Sequence, residues 1–144
     1  MSDYTIEGGI RRVFLPSLYK YMPDAVLAQA AAVQNTWYTA LDTTTRGVLY
    51  GATVTMSTLA EDIATQWTID GVTLSGSQAG AVAGTPYYFG KGGGLATLTS
   101  QTTATGAGLS GNPIFFQSLK VEFRKTSANG ANTLTGRVVY GVLV

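Results

Sequence analysis

The chain has 144 residues, with 9 Lys and Arg against 8 Asp and Glu, no histidine and no cysteine, and only 12% of its positions are charged. There is thus no imidazole for proton transfer near neutral pH, no thiolate nucleophile, and no soft ligand set for zinc, copper or iron–sulfur centres. A formal net charge of +1 supplies no field strong enough to gather nucleic acid or an anionic membrane by charge alone.

The length predicts one domain, large enough to bury its own core without a metal or disulfide staple. It divides into an N-terminal arm, residues 1–34, and a β domain, residues 35–144. The start, MSDYTIEGG, is polar and carries Asp3 and Glu7. It lacks the basic-then-apolar order of a secretory signal, so none is expected. No run approaches the roughly 18 apolar residues of a membrane span.

Residues 1–23 read as irregular, with Gly8-Gly9, Pro16 and Pro23 interrupting Tyr4, Phe14, Tyr19 and Tyr21. This stretch is too apolar for a disordered tail. It is expected to lie across a surface, either its own domain or a neighbouring subunit. Arg11, Arg12 and Lys20 form a local basic cluster, either solvated or set against an acidic partner. Arg11, Arg12, Phe14, Leu15, Tyr19 and Tyr21 are the candidate interface residues of the arm. Residues 24–33 (DAVLAQAAAV) combine a capping Asp24 with an Ala-rich run, which predicts one or two helical turns, although the segment is short for a stable helix.

From Asn35 onward the pattern is β. Gly47–Met56 alternates, with Val48, Tyr50, Ala52, Val54 and Met56 on one face. Asp62–Asp70 alternates too, with Ile63, Trp67 and Ile69 inward. Asp70-Gly71 follows, a strong signal for a type I′ hairpin turn. Residues 75–112 are loose and rich in Gly, Ser, Thr and Ala, with short strands expected at Tyr87-Tyr88-Phe89 and Leu95–Leu98 and an exposed loop over 99–111. Pro113–Lys125 predicts one long strand with Phe115, Leu119, Val121 and Phe123 on one face. Thr133–Val144 predicts its hairpin partner across an Asn-Gly-bearing loop. Seven or eight short strands and almost no helix give an all-β, antiparallel sandwich or barrel, most simply a jelly roll, with a Greek-key sandwich as the alternative.

The search for chemistry returns little. Phe89–Gly94 (FGKGGG) lacks the Lys-Ser/Thr ending and the following helix of a phosphate loop. The carboxylates offer no convincing pair for glycoside hydrolysis: Glu61 and Asp62 are neighbours on a strand and point apart, and Asp70 belongs to its turn. Calcium is the only metal that suits the oxygen ligands present, through turn carboxylates such as Asp42 or Asp62, but no spaced acidic loop exists, and neither metal nor cofactor is expected. Ser118 and Lys120 lie too far apart to act together as nucleophile and base. Trp67 alternates with core residues. Tyr87, Tyr88 and Phe89 are the better candidates for a contact or ligand surface. The chain is therefore read as a structural or binding protein and not an enzyme.

Two stretches carry a resemblance. Asn35–Met56 (NTWYTALDTTTRGVLYGATVTM), with the strand ending TIDG at Thr68–Gly71, and the closing FFQSLKVEFRKT…LTGRVVYGVLV resemble small β-sandwich virion proteins of tailed bacteriophages. The resemblance implies a jelly-roll or related sandwich on the particle, as a head decoration, minor capsid or tail-associated protein, made in the host cytoplasm and released by lysis. It implies the major capsid protein or other virion proteins as partners, often a homotrimer, and neither nucleic acid nor membrane. It transfers no active-site residues. A mean hydropathy of +0.17 is high for a small soluble monomer and fits burial of apolar surface between subunits. The other expectations are a tail or fibre component touching host glycans through Tyr87-Tyr88-Phe89 and the 99–111 loop, and a non-viral carbohydrate-binding module.

Overall fold

The computed structural model describes residues 4–7, 10–13, 19–21, 25–91, 97–101, 113–128 and 130–143, the first three segments and Gln101 by backbone alone. Its described residues form thirteen strands and no helix. They are β1 (Tyr4–Glu7), β2 (Ile10–Val13), β3 (Tyr19–Tyr21), β4 (Ala25–Gln29), β5 (Tyr38–Thr43), β6 (Gly47–Met56), β7 (Glu61–Ile69), β8 (Val72–Ala81), β9 (Tyr87–Lys91), β10 (Leu98–Gln101), β11 (Ile114–Phe116), β12 (Leu119–Lys125) and β13 (Leu134–Leu143).

Eight of these strands build two antiparallel sheets. One runs β4-β13-β6-β9 and the other β5-β12-β7-β8. Taken in chain order, these eight cross to the opposite sheet at every step except the β7–β8 hairpin. That is the connectivity of an eight-stranded jelly roll. The remaining strands extend the first sheet. β10 adds an edge beside β9, β3 continues the line of β4 along β13, and β11 continues the line of β9 along β6. β1 and β2 pair with each other, Tyr4 opposite Val13 and Glu7 opposite Ile10.

The core lies between the sheets. Trp67, Phe89, Phe123, Leu49, Met56, Ile63, Leu119 and Leu134 are fully buried there. Interior positions recur every second residue along β7, β12 and β13, as one buried face of a strand requires. The sandwich is stitched along one side, where Ser100 Oγ on β10 donates to Gln78 Oε1 on β8 at 2.6 Å. The Asp70-Gly71 turn forms as expected, with φ of 50° and 83°.

Several expectations are corrected. Residues 25–29 are a strand, not a helix: β4 pairs with β13 from Ala25–Val138 to Gln29–Leu134. A ten-residue helix gains little by itself, whereas the open edge of β13 satisfies the backbone of the segment. The sandwich therefore begins before residue 35, and β3, opposite Leu143, Val142 and Gly141, reaches into what was read as arm. Nor is the arm irregular throughout. The Gly-Gly pair in its sequence separates two strands, itself a hairpin signal.

The stretch Pro113–Lys125 is two strands rather than one. β11 belongs to one sheet and β12 to the other, with Gln117-Ser118 carrying the chain across. Phe116 is buried and Phe115 points out, 66% exposed. β12 and β13 are not hairpin partners, because the loop between them also crosses the sandwich. On β6 the alternation breaks at Tyr50. Gly51 faces Val139 and Leu49 faces Tyr140, so Tyr50 is one residue too many. This bulge turns Leu49 inward and leaves Tyr50 exposed.

Candidate functional site

The two ends of the sandwich differ in chemistry. At one end the β6–β7 and β12–β13 loops are latched by buried polar groups. Asn132 Oδ1 accepts from Thr58 N at 2.8 Å, Thr58 Oγ1 at 2.9 Å and Leu59 N at 3.1 Å, while Asn132 Nδ2 donates to Leu59 O at 3.0 Å. Lys125 Nζ lies 3.2 Å from Glu61 Oε1 and donates to Gly130 O at 2.6 Å. Ser127 Oγ donates to the second Glu61 oxygen. Burial alone would raise the Glu61 carboxyl, but hydrogen bonds from Ser127, Asn132 and Lys125 and the lysine charge outweigh it and hold the pKa below its ordinary value.

A second carboxylate lies on the outer face of the β5-β12-β7-β8 sheet. Glu122 pairs with Lys120 at 2.8 Å and accepts from Gln66 Nε2 at 2.6 Å and Thr39 Oγ1 at 3.4 Å. Burial pushes this carboxyl up, but Lys120, Gln66 and Thr39 outweigh it and hold the pKa below its ordinary value. Neither carboxyl has the raised pKa of a general acid. Lys120, committed to Glu122, is not placed to serve Ser118. Among the described residues no three acidic side chains gather as a metal site. Asp42 lies opposite Lys120, and Thr45 N donates to Thr43 Oγ1 at 3.2 Å in the adjoining turn. Asp62 Oδ1 accepts from Gly80 N at 2.6 Å.

The opposite end is open and sets charged and apolar side chains next to one another. A recess of about 320 Å³ lies between Arg46, Asp70, Phe115, Phe116, Gln117 and Leu143. Local chemistry fixes its walls. Asp70 Oδ1 accepts from Gln117 N at 2.7 Å and Ser118 N at 2.8 Å, tying the β7–β8 turn to the β11–β12 crossing. Leu143 N donates to Arg46 O at 2.8 Å. Phe115 is 66% exposed, Val72, beside the same turn, 64%, and Leu143 36%. Of these, Phe115 and Leu143 line the recess. Tyr19 of β3 lies opposite Leu143, so the N-terminal segment joins the sheet at this end.

The predicted site residues are not brought together at this recess. Tyr19 and Tyr21 are in β3, and Arg11 and Arg12 are in β2, paired with Ile6 and Thr5. Phe14 and Leu15 lie outside the described residues, as does most of the 99–111 loop. Tyr87 and Phe89 do not form a contact surface: they are core residues, 3% and 0% exposed. Tyr87 Oη accepts from Val82 N at 2.8 Å and closes the loop ahead of its own strand, as Tyr38 Oη does from Val33 N at 2.9 Å. Only Tyr88 faces outward, half-buried. Sequence reasoning missed Arg46, Phe115 and Leu143. The signal was present in Phe115-Phe116, since adjacent strand residues point to opposite faces and one of the two had to leave the core. Set against protein-family models, characterised proteins and solved structures, the chain matches none of them.

Proposed function

We propose that this chain is a non-catalytic structural subunit of a virion, of the kind that decorates and cements the head of a tailed bacteriophage. The observation that carries the reading is the open recess edged by the exposed Phe115 and Leu143 at the end where the N-terminal segment joins the sheet. A surface of that kind together with a chain segment leaving it suits attachment to a neighbouring subunit. The jelly-roll architecture is compatible, since capsid domains use it, though so do lectins and cupins. The mechanism is linkage: a subunit that binds only the assembled shell stabilises that shell by mass action. The major capsid protein is the expected partner, with three copies of this chain around a local three-fold axis.

The test is to count this chain by quantitative mass spectrometry in particles purified from the lysate in which it is made. A ratio near one to one with the shell protein supports a decoration role. A few copies per particle move it to the tail or portal. Absence from particles overturns the reading. A variant lacking residues 1–18 keeps β3 and should fold yet fail to attach, and Phe115→Ser should weaken attachment.

A further inference from the structure

The outer face of the β5-β12-β7-β8 sheet carries a groove of about 430 Å³. Its floor is formed by small side chains on adjacent strands. Arg124 on β12 is opposite Ala64 on β7, which is opposite Ser77 on β8, with Ser75 two residues along. One wall is Trp37, with the Arg124 guanidinium carbon 4.3 Å from the ring centroid. The other is Thr97, which bridges to Ser75 at the sheet edge.

Charge within the groove is unbalanced. Glu122, two residues back on the same face of β12, is committed to Lys120, Gln66 and Thr39. Arg124 makes no ion pair among the described residues, and its Nε is buried without a hydrogen-bond partner. The hydroxyls of Ser75 and Ser77 are exposed and make no hydrogen bond among the described residues. The groove thus offers one stacked cation and two free hydroxyls across two strand spacings, about 10 Å.

We propose that this groove binds an acidic saccharide, its carboxylate on the Arg124 guanidinium and its ring hydroxyls on Ser75 and Ser77. A guanidinium fork matches a carboxylate with two parallel hydrogen bonds. Stacking on Trp37 fixes the plane of the fork before the ligand arrives, so little side-chain freedom is lost on binding. The flat floor takes a pyranose ring lying across β7 and β8, with its apolar edge over Ala64. The volume is that of a small-ligand site. Nothing in this depends on attachment to a virion, so the two readings fail separately.

The experiment is calorimetric titration of the full chain with sialyllactose and tri-galacturonate, their neutral counterparts lactose and α-1,4-galactotriose, and sodium sulfate as a bare anion. Saturable binding of at least one acidic probe is expected, about tenfold or more tighter than its neutral counterpart, as a charged hydrogen-bonded pair gives. Arg124→Gln should weaken it by about the same factor, and Ser77→Ala by less. Arg124→Lys, which keeps the charge and loses the fork, should fall between parent and Arg124→Gln, and it carries the test if the glutamine variant does not fold. The proposal is overturned if no acidic probe binds, if the neutral sugars bind equally well, if the variants bind like the parent, or if sulfate binds as tightly as the sugars.

Discussion

Lys125 Nζ and Glu61 Oε1 meet 3.2 Å apart at the latched end of the sandwich, with side chains only 4% and 0% exposed. Replacing the lysine alone leaves a buried carboxylate without its counter-charge. Lys125→Met is therefore expected to cost about 3 kcal/mol or more. Glu61→Gln combined with Lys125→Met removes both charges and should recover part of that loss. Urea denaturation of the parent and both variants measures it, and a single variant as stable as the parent would contradict the pairing.

Acid should loosen the fold through the same carboxylates. Glu61 and Glu122 both have folded pKa values below their ordinary ones, because their donors outweigh the cost of burial. Between the folded and unfolded values the unfolded chain holds more protons, so stability rises with pH there. Their contribution is complete above the ordinary carboxylate range, about pH 4–5, and is lost as pH falls through the folded values. Lys120 behaves in reverse. Its pKa is raised by the hydrogen bond and charge of Glu122, so its small, exposed contribution fades only as pH rises through that value. Melting temperatures from pH 7 to pH 2 should fall on the acid side, and Glu61→Gln should flatten that limb.

Gly47, Gly76 and Gly136 hold space that a methyl group would fill, and two of them make a direct comparison. A Cβ on Gly136 would overlap the Phe123 ring, and one on Gly47 would overlap the carbonyl oxygen of Gly141. Gly136→Ala and Gly47→Ala should each destabilise by about 1–3 kcal/mol, the usual cost of overpacking. Gly47→Ala should be the worse, because backbone yields less readily than a side chain. Denaturant midpoints for the pair give the order directly.

Asp70 serves its turn and its neighbour at once. Its φ of 50° suits the left-handed region, and its carboxylate caps Gln117 N and Ser118 N. Asp70→Ala loses both roles and should cost about 1–2 kcal/mol, whereas Asp70→Asn keeps an acceptor and tolerates the same φ. Thermal melts in which alanine and asparagine behaved alike would show that neither role matters.

Strands could be read from the sequence because each must hide one face. β7, β12 and β13 carry that alternation plainly, and Asp70-Gly71 marks its turn without ambiguity. Which strand pairs with which could not be read this way. Phe115 and Phe123 look like residues of one continuous strand, but Gln117-Ser118 moves the chain to the other sheet, and no local propensity encodes such a crossing. The loop through Gly130 looks like a hairpin for the same reason. The candidate sites were harder still. Arg124 and Trp37 become neighbours only through the register of β5 on β12, and Phe115, Asp70 and Leu143 come from three separated stretches. Tyr87 was misread because an aromatic run in a Gly-rich region suggests exposure, whereas its hydroxyl satisfies a backbone donor from within the core.

The position of β13 governs how the chain reaches this state. It is hydrogen-bonded along both edges, to β6 on one side and to β4 and β3 on the other. Ala25 must meet Val138, and Gly47 must meet Val142, before that sheet is continuous. During synthesis β4 and β6 therefore emerge with open edges and wait for a partner that has not yet been made. Ring closure over such sequence distances is slow, and exposed edges in the interval invite pairing with other nascent chains. Refolding should accordingly be slow and its yield should fall as protein concentration rises, although in the finished sheet β13 covers the edges that β4 and β6 turn toward it.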